Sequence, residues 1–259
     1  MIIDSDNPLR APLERSQSAR EDILRQTTIF LNSTGTNATA TLVILPQREN
    51  RFFLLTAQHV ARILEENGEK WSFSNPQRVV AYLIHPPIRT DLGTEGLYSQ
   101  DLTLFELHAD DVAEMVRLGL SFYDLRTSQY SSDEVYGPDY FIIGAPKSEE
   151  VLANRELSFE IRCAGVNILE EPKVNDVTRF VEVEAVQADY SGMSGGGLWE
   201  ISYPASGDHR LFLLGVVVRE PQQWQATVDA CSTVGSITIR CSSRESIKEL
   251  VARARSLSL

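Results

Sequence analysis

Residues 191–197 read Ser-Gly-Met-Ser-Gly-Gly-Gly, with four glycines placed around one central serine, Ser194. A segment of this composition favours neither a helix nor a strand, because glycine loses more conformational freedom on folding than any other residue. Such a segment can bring backbone N–H groups close to a ligand and hold a hydroxyl on a tight turn. One interpretation is a flexible Gly/Ser loop. The other is a turn that carries a nucleophile, with the N–H of Ser194 and of a neighbouring glycine forming an oxyanion hole.

The bulk composition limits the classes of protein to which this chain can belong. Its 259 residues, 42% hydrophobic and 23% charged, are enough for one large globular domain or two small lobes. Thirty-six acidic residues against twenty-four basic ones give a net charge of -12, which argues against nucleic acid or an anionic membrane as a partner. No window approaches the roughly 18 apolar residues of a membrane-spanning helix.

The N-terminus and the cysteines bear on the cellular compartment. The first residues lack a basic segment followed by an apolar one, so no signal peptide is predicted and a cytoplasmic location is expected. The three cysteines, Cys163, Cys231 and Cys241, match no zinc-binding or redox spacing. We expect them to be reduced structural side chains, and the sequence predicts no metal and no cofactor.

Short runs rich in β-branched and aromatic residues, separated by turn residues, recur from residue 27 to 107 and from 140 to 240. Their spacing predicts an all-β chain built as an antiparallel sandwich or barrel. One strand is predicted over 157–165. A helix is predicted from about His59 to Glu66, and the residues after Ser243 predict an amphipathic helix with a serine cap.

This pattern predicts five consecutive parts of the chain. They are an N-terminal arm (1–26), a first lobe (27–110), an inter-lobe connection (111–138), a second lobe (139–242) and a C-terminal helix (243–259).

Two further residues have positions that suit catalysis. His59 directly follows a hydrophobic strand through Thr56 and Ala57, whereas the other histidines are interpreted as structural: His85, His108 and His209. Asp101 opens the alternating run Asp-Leu-Thr-Leu-Phe-Glu-Leu, which would hold its carboxylate at a sheet edge. Its competitor, Asp91, is followed by a loop-like segment.

A serine hydroxyl is a weak nucleophile that needs a base, and the base needs a third group to fix its tautomer. His59, Asp101 and Ser194 supply these three parts in that order along the chain. The motifs around them are Thr-Ala-x-His at 56–59, Asp-x-x-Leu-x-x-Leu at 101–107 and Gly-x-Ser-Gly-Gly at 192–196.

These three motifs, in this order, resemble those of trypsin/chymotrypsin-type serine proteases. The resemblance implies two six-stranded antiparallel β-barrels with a C-terminal helix and a site in the cleft between the barrels. It implies a serine endopeptidase that acts through an acyl-enzyme intermediate, with His59 as base, Asp101 orienting it and Ser194 as nucleophile. The N–H groups of Gly192 and Ser194 would form the oxyanion hole.

The resemblance also suggests substrate-binding residues. The segment 213–217 looks like the strand behind the active site of that family, which makes the next three residues candidates for pairing with the substrate backbone: Val218, Arg219 and Glu220. The position at the base of the specificity pocket would be Ala188, and Asp189, Tyr190 and Arg219 could shape the pocket. No residue preference is predicted.

Two positions depart from the pattern of the family. Met193 stands where trypsin-like zymogens carry an aspartate that pairs with a newly cut N-terminus, so no activation of that kind is expected. The chain is in this respect more similar to the disulfide-poor bacterial branch. Val218 replaces a frequent serine whose hydroxyl helps to hold the catalytic aspartate, so Asp101 is expected to have one hydrogen bond fewer.

Two other functions compete with this interpretation. Gly-x-Ser-x-Gly at 192–196 also fits an α/β-hydrolase esterase, but that fold needs the order Ser, Asp, His, and only His209 follows Ser194. A catalytically silent protein-binding module with the same fold stays open as the alternative. A protein or peptide substrate is the expected partner. A cytosolic regulatory partner is left open, and the sequence predicts no oligomeric state.

Overall fold

The computed structural model describes residues 27–33, 36–45, 50–66, 72–74, 88–89, 101–125, 134–145, 151–153, 156–158, 162–169, 178–185, 192–204, 210–219 and 235–256. Over these residues the chain is mostly β, with helices between strands and at the C-terminal end. None of the helices in these ranges is long and apolar enough to cross a membrane.

The first sheet contains seven strands. They are β1 (Thr28–Ser33), β2 (Thr36–Leu45), β3 (Arg51–Ala57), β4 (Ser72–Ser74), β5 (Ile88–Arg89), β6 (Leu102–Glu106) and β7 (Tyr123–Asp124). The first six lie in the order β4-β1-β2-β3-β6-β5 with antiparallel pairing, while β7 runs parallel to β2. Helix α1 (Gln58–Glu66) follows β3, and α2 (Ala109–Arg117) follows β6.

The second half of the chain forms a ring of six antiparallel strands. They are β8 (Glu134–Gly144), β11 (Arg162–Ile168), β12 (Thr178–Ala185), β13 (Gly197–Pro204), β14 (Arg210–Arg219) and β15 (Gly235–Ser242). The pairings β11-β12-β15-β14-β13-β8 return to β11 and close the ring. Strands β9 (Val151–Ala153) and β10 (Glu156–Ser158) form a separate pair, and α3 (Arg244–Ser256) ends the described chain.

The predicted all-β class and C-terminal helix are confirmed, but two complete six-stranded barrels are not seen among the described residues. The first sheet stays open there, with β4 and β5 at its edges. The strand predicted over 157–165 overlaps β10, which pairs with β9, and β11, which pairs with β8, while residues 159–161 lie outside the described residues. The predicted arm, 1–26, lies outside the described residues, and the predicted part boundaries stay predictions.

The described residues form two hydrophobic clusters, and the larger one joins the two halves. The smaller cluster fills the ring and includes Met193, Leu198 and Cys241. The larger cluster joins the first sheet to the other face of the ring strands and to α3, through residues such as Phe53 and Trp199. Alternate residues of a strand point to opposite faces, so β13 and β14 contribute to both clusters.

Helix α3 begins where the sequence predicts a cap. The Ser246 N–H donates to Ser243 Oγ at 3.4 Å, which satisfies one of the N–H groups that the first helical turn leaves without a partner. At the other end, Arg51 Nη1 donates to the carbonyl of Ala254 at 2.6 Å and also forms an ion pair with Glu106. The helix is therefore tied to the first sheet at its C-terminal end.

Candidate active site

The structure brings His59 and Asp101 into direct contact. His59 is the second residue of α1, and Asp101 immediately precedes β6, which pairs with β3 next to that helix. His59 Nδ1 lies 2.7 Å from Asp101 Oδ2, and the His59 backbone N–H donates to Asp101 Oδ1 at 3.0 Å. One carboxylate thus holds both the ring and the main chain of His59.

This contact decides which nitrogen of His59 is available to a substrate. An ionised carboxylate accepts hydrogen bonds and donates none, so the hydrogen in the short contact belongs to Nδ1. In the neutral imidazole Nε2 then has a lone pair and is able to take a proton. The His59 side chain is 32% exposed and that of Asp101 is 15% exposed, so the base is accessible while its partner is largely covered.

Asp101, which directly precedes β6, also caps the N-terminus of α1. Its carbonyl accepts the Gln58 N–H at 2.8 Å, and its carboxylate accepts the next N–H of the helix, that of His59. A carboxylate at a helix N-terminus is favoured by the helix dipole. The residue adopts φ of 44°, in the left-handed region that aspartate tolerates better than most residues.

The glycine-rich segment forms a tight turn around Ser194. The Gly196 N–H donates to the carbonyl of Met193 at 2.9 Å, which makes Ser194 and Gly195 the central residues. Gly195 has φ of 91° and Ser194 does not have a positive φ, a combination typical of a type II turn. The turn therefore requires a glycine directly after the serine.

Strand β2 of the first sheet holds this turn through Thr39. The Thr39 N–H donates to the carbonyl of Ser194 at 3.0 Å, and Thr39 Oγ1 donates to the carbonyl of Gly192 at 3.0 Å. Thr39 Oγ1 also accepts the N–H of Ala145 at 2.9 Å, and Thr56 Oγ1 donates to the carbonyl of Thr39. These hydrogen bonds link the turn to Thr56 of β3, three residues before His59.

Two backbone donors at the turn stay available. Because the carbonyl and N–H of a trans peptide point in opposite directions, the bond from Gly196 to the Met193 carbonyl turns the Ser194 N–H to the other side. Within the described part of the chain, no hydrogen bond involves the N–H of Gly192 or of Ser194. Gly192 has φ of 89°, a conformation that glycine adopts without strain.

The structure does not join all of the predicted residues. Within the described ranges, no hydrogen bond links Ser194 Oγ to His59, although Ser194 is only 7% exposed. Val218 is fully buried in the larger cluster, so no part of this residue is exposed to a ligand. Arg219 is described for its backbone alone, as the last residue of β14. Four other predicted substrate-binding residues lie outside the described ranges: Ala188, Asp189, Tyr190 and Glu220.

Sequence reasoning missed the residues that support the site. Thr39 and Thr56 are completely buried, and the alternation Ala-Thr-Ala-Thr over 38–41 is the signal that could have indicated a polar face on β2. Arg240 in β15 lies with Nη2 3.9 Å from Asp101 Oδ2, and its side chain is 6% exposed. No local pattern in the sequence distinguishes this arginine from others.

The cysteines that the structure describes are free thiols, as predicted. Cys163 is half-buried, and Cys241 is buried next to Arg240 in β15. Burial raises the pKa of Cys241 to about 12, an effect that the positive charge of Arg240 partly opposes. Cys231 lies outside the described residues.

Comparison with known proteins gives no family assignment. No family model matches the sequence, and no curated protein matches it. Among solved structures, the Rv3671c protease in an inactive form is similar at 15% identity and a TM-score of 0.44, with 98% of each chain covered. An inactive form of a serine-to-alanine mutant of Rv3671c from M. tuberculosis H37Rv is similar at 13% identity and a TM-score of 0.44, covering 97% of this chain and 96% of that one.

Proposed function

We propose that this chain is a serine endopeptidase of the two-barrel, trypsin/chymotrypsin-like type, which hydrolyses peptide bonds through His59, Asp101 and Ser194. The observation that carries the proposal is that the Asp101 carboxylate contacts His59 twice. Oδ2 lies 2.7 Å from the imidazole Nδ1, and Oδ1 accepts the backbone N–H at 3.0 Å. A carboxylate in that position fixes the tautomer in which Nε2 is a base, which a serine nucleophile requires.

The mechanism assigns a role to each group of the site. His59 Nε2 takes the hydroxyl proton as Ser194 Oγ attacks the carbonyl carbon of the scissile bond. The negative charge that develops on the carbonyl oxygen is stabilised by the N–H groups of Gly192 and Ser194, each worth about 3 kcal/mol in comparable sites. His59 then gives its proton to the leaving amine. Water attacks the acyl-enzyme by the same route and releases the second product.

Asp101 has two functions in this mechanism. It keeps the imidazole in one orientation through Nδ1, and its negative charge stabilises the imidazolium that forms during the attack. Because the same carboxylate caps α1, the helix that carries His59 and the ring of His59 are positioned by one group. The substrate is a protein or peptide chain, which would pair with the backbone beyond Val218.

A fluorophosphonate probe, which reacts with activated serines, tests the proposal on the full chain. Wild type is expected to be labelled and to cleave members of a peptide library, whereas Ser194→Ala and His59→Ala should do neither. Ser256→Ala is the matched control, because Ser256 lies at the exposed end of α3 and donates to the carbonyl of Arg253. It should be labelled like wild type.

Folding must be established for each protein by a cooperative thermal transition. A folded wild type that is neither labelled nor able to cleave any peptide would contradict the proposal and favour the silent binding module. Labelling that persists in Ser194→Ala would show that another serine reacts. Labelling of Ser194 without peptide cleavage would contradict the assignment of an endopeptidase.

A further inference from the structure

A buried arginine stands behind the candidate base. Arg240 is 5% exposed as a whole residue, and a guanidinium withdrawn from water in this way is costly unless an anion and hydrogen bonds compensate it. Its Nη2 lies 3.9 Å from Oδ2 of Asp101. That separation exceeds a hydrogen bond and is the contact of two opposite charges. Both side chains are largely covered, so solvent and salt screen their attraction weakly.

The contact completes a set of interactions around one carboxylate. Oδ1 of Asp101 accepts the His59 backbone N–H, and Oδ2 lies against the ring Nδ1 and also faces Arg240. The histidine contacts both oxygens from the side of the first sheet. Arg240 approaches from the side of the six-stranded ring, in which it belongs to β15. The carboxylate is therefore contacted from both halves of the molecule.

The strand that carries Arg240 is also connected to the turn at Ser194. In the pairing of β14 with β15, Val217 stands opposite Cys241 and Arg219 opposite Arg240. The carbonyl of Val217 accepts the Gly195 N–H at 2.7 Å. The Val217 N–H donates to the carbonyl of Gly196 at 2.8 Å. Strand β14 connects Arg240 to the turn. If Asp101 moves away from Arg240, it therefore also moves away from the half of the molecule that carries Ser194.

We infer that Arg240 is a positioning residue that holds Asp101, and through it His59, in register with Ser194 across the two halves of the chain. This inference rests on the proposed function. Arg240 acts through Asp101 and contacts no reacting atom. Its loss should therefore lower kcat and leave KM almost unchanged, since substrate binding does not depend on the alignment of the base.

Steady-state kinetics on a peptide or ester that wild type cleaves provide the first test. Arg240→Met keeps an unbranched apolar side chain and removes the charged guanidinium, and we expect kcat to fall about 10- to 100-fold, as for small misplacements of catalytic groups. Arg240→Lys restores a cation and should recover part of the loss. The matched control is Arg253→Met, since Arg253 is a partly buried arginine paired with Glu249 in α3, and it should keep the kcat of wild type.

Proton NMR provides a readout that a loss of stability alone does not move. The proton between His59 Nδ1 and Asp101 should resonate far downfield in wild type, in Ser194→Ala and in Arg253→Met. In Arg240→Met the resonance should shift or broaden into exchange with water. An unchanged kcat together with an unchanged resonance in folded Arg240→Met would overturn the inference. If that variant does not fold, the same comparison with Arg240→Lys decides.

A thermodynamic cycle separates this inference from the proposed function. In the Ser194→Ala background, where catalysis is absent by design, unfolding free energies are measured for Arg240→Met, Asp101→Asn and the double variant. The two substitutions should be strongly non-additive, because the two side chains are in direct contact and each substitution removes the charge that the other one faces. Additive effects would overturn the inference even if wild type is a protease. A wild type without activity would overturn the proposed function and leave the coupling intact.

Discussion

Asp101 combines several interactions that are usually divided among different residues. Its carbonyl and carboxylate accept the first two N–H groups of α1, and Oδ2 also lies against the ring of His59. These contacts require φ of 44°, a conformation in which aspartate and asparagine are tolerated and a β-branched residue is strained. The side chain at this position is therefore constrained by backbone geometry as well as by its contacts with His59.

Gly195 is constrained by the space around it. A Cβ at this position would lie 1.8 Å from the carbonyl oxygen of Thr39 and 2.2 Å from Thr56 Oγ1. Those atoms belong to the network that joins the turn to β3, the strand that precedes His59. We expect Gly195→Ala to lower the free energy of unfolding by about 3 kcal/mol or more and to abolish probe labelling of Ser194, as measured by urea denaturation and gel fluorescence.

Gly119 is the matched control for this substitution. It has φ of 84°, close to that of Gly195, but among the described residues other than its chain neighbours no atom lies within 4 Å of the Cβ that alanine would add. Gly119→Ala should therefore cost about 1 kcal/mol, the cost of the left-handed conformation alone. Equal destabilisation by the two substitutions would show that crowding against β2 does not constrain the turn.

Strand β15 places a different chemistry on each face. Cys241 points into the cluster inside the ring, while Arg240 approaches Asp101. Because adjacent residues of a strand face opposite ways, a single strand supplies both a core thiol and a charge at the site. The alternating residues of 236–240 indicate a strand, but they do not tell which face meets the first sheet.

The buried thiol of Cys241 predicts a dependence of stability on pH. Its pKa is raised from 9.0 to about 12 in the folded chain, mainly by burial. Between these values the unfolded chain loses the proton and the folded chain keeps it. The contribution of this thiol to the free energy of unfolding is therefore complete below about pH 9 and declines above it. The decline is about 1.4 kcal/mol per pH unit for one group.

Urea denaturation of wild type and Cys241→Ala measures this effect. From about pH 8 to pH 10, the free energy of unfolding of wild type should fall by about 1.4 kcal/mol more than that of the variant. Between about pH 7 and pH 8 the two proteins should change in parallel, with a constant offset for the smaller side chain. If the free energy of unfolding of the two proteins changes with pH at the same rate above about pH 9, the pKa of the thiol is not raised in the folded chain.

The two halves of the molecule meet at Thr39. Its N–H and hydroxyl donate to the carbonyls of Ser194 and Gly192, and the hydroxyl accepts the N–H of Ala145 from the end of β8. A single residue of the first sheet thus contacts both the turn at Ser194 and the end of β8 in the six-stranded ring. The geometry of the site depends on how the halves are docked as well as on the fold of each half.

Thr39→Val tests this dependence with little change of shape. The substitution leaves the carbonyl of Gly192 and the N–H of Ala145 without the partner that Thr39 Oγ1 provides. We expect a loss of about 3 kcal/mol in the free energy of unfolding and slower probe labelling of Ser194. Labelling rates and urea denaturation of the same samples measure the two effects together.

Thr103→Val is the matched control. Thr103 is also completely buried in the first sheet, but among the described residues its hydroxyl makes no hydrogen bond. Replacing that hydroxyl by a methyl group should be neutral or stabilising, within about 1 kcal/mol. If both valine variants lose the same stability, the hydrogen bonds of Thr39 are not what holds the turn.

The sequence by itself determined the local features of this protein. The glycines of 192–197 predict a turn because only glycine adopts its positive φ freely, and the alternation of apolar residues predicts most of the strands. The cap at Ser243 and the helix after His59 follow from preferences within a few residues. The pairing of His59 with Asp101 followed from a resemblance of motifs, since neither residue alone is distinctive.

The tertiary structure decided the contacts between distant parts of the chain. Thr39 and Gly192 are 153 residues apart, and Arg240 reaches Asp101 from the opposite half. No local preference encodes such contacts, because they depend on which faces of two sheets meet and on which buried groups then need a partner. Within the described residues the first sheet is open, with β4 and β5 at its edges, whereas the resemblance of motifs implied a complete barrel there.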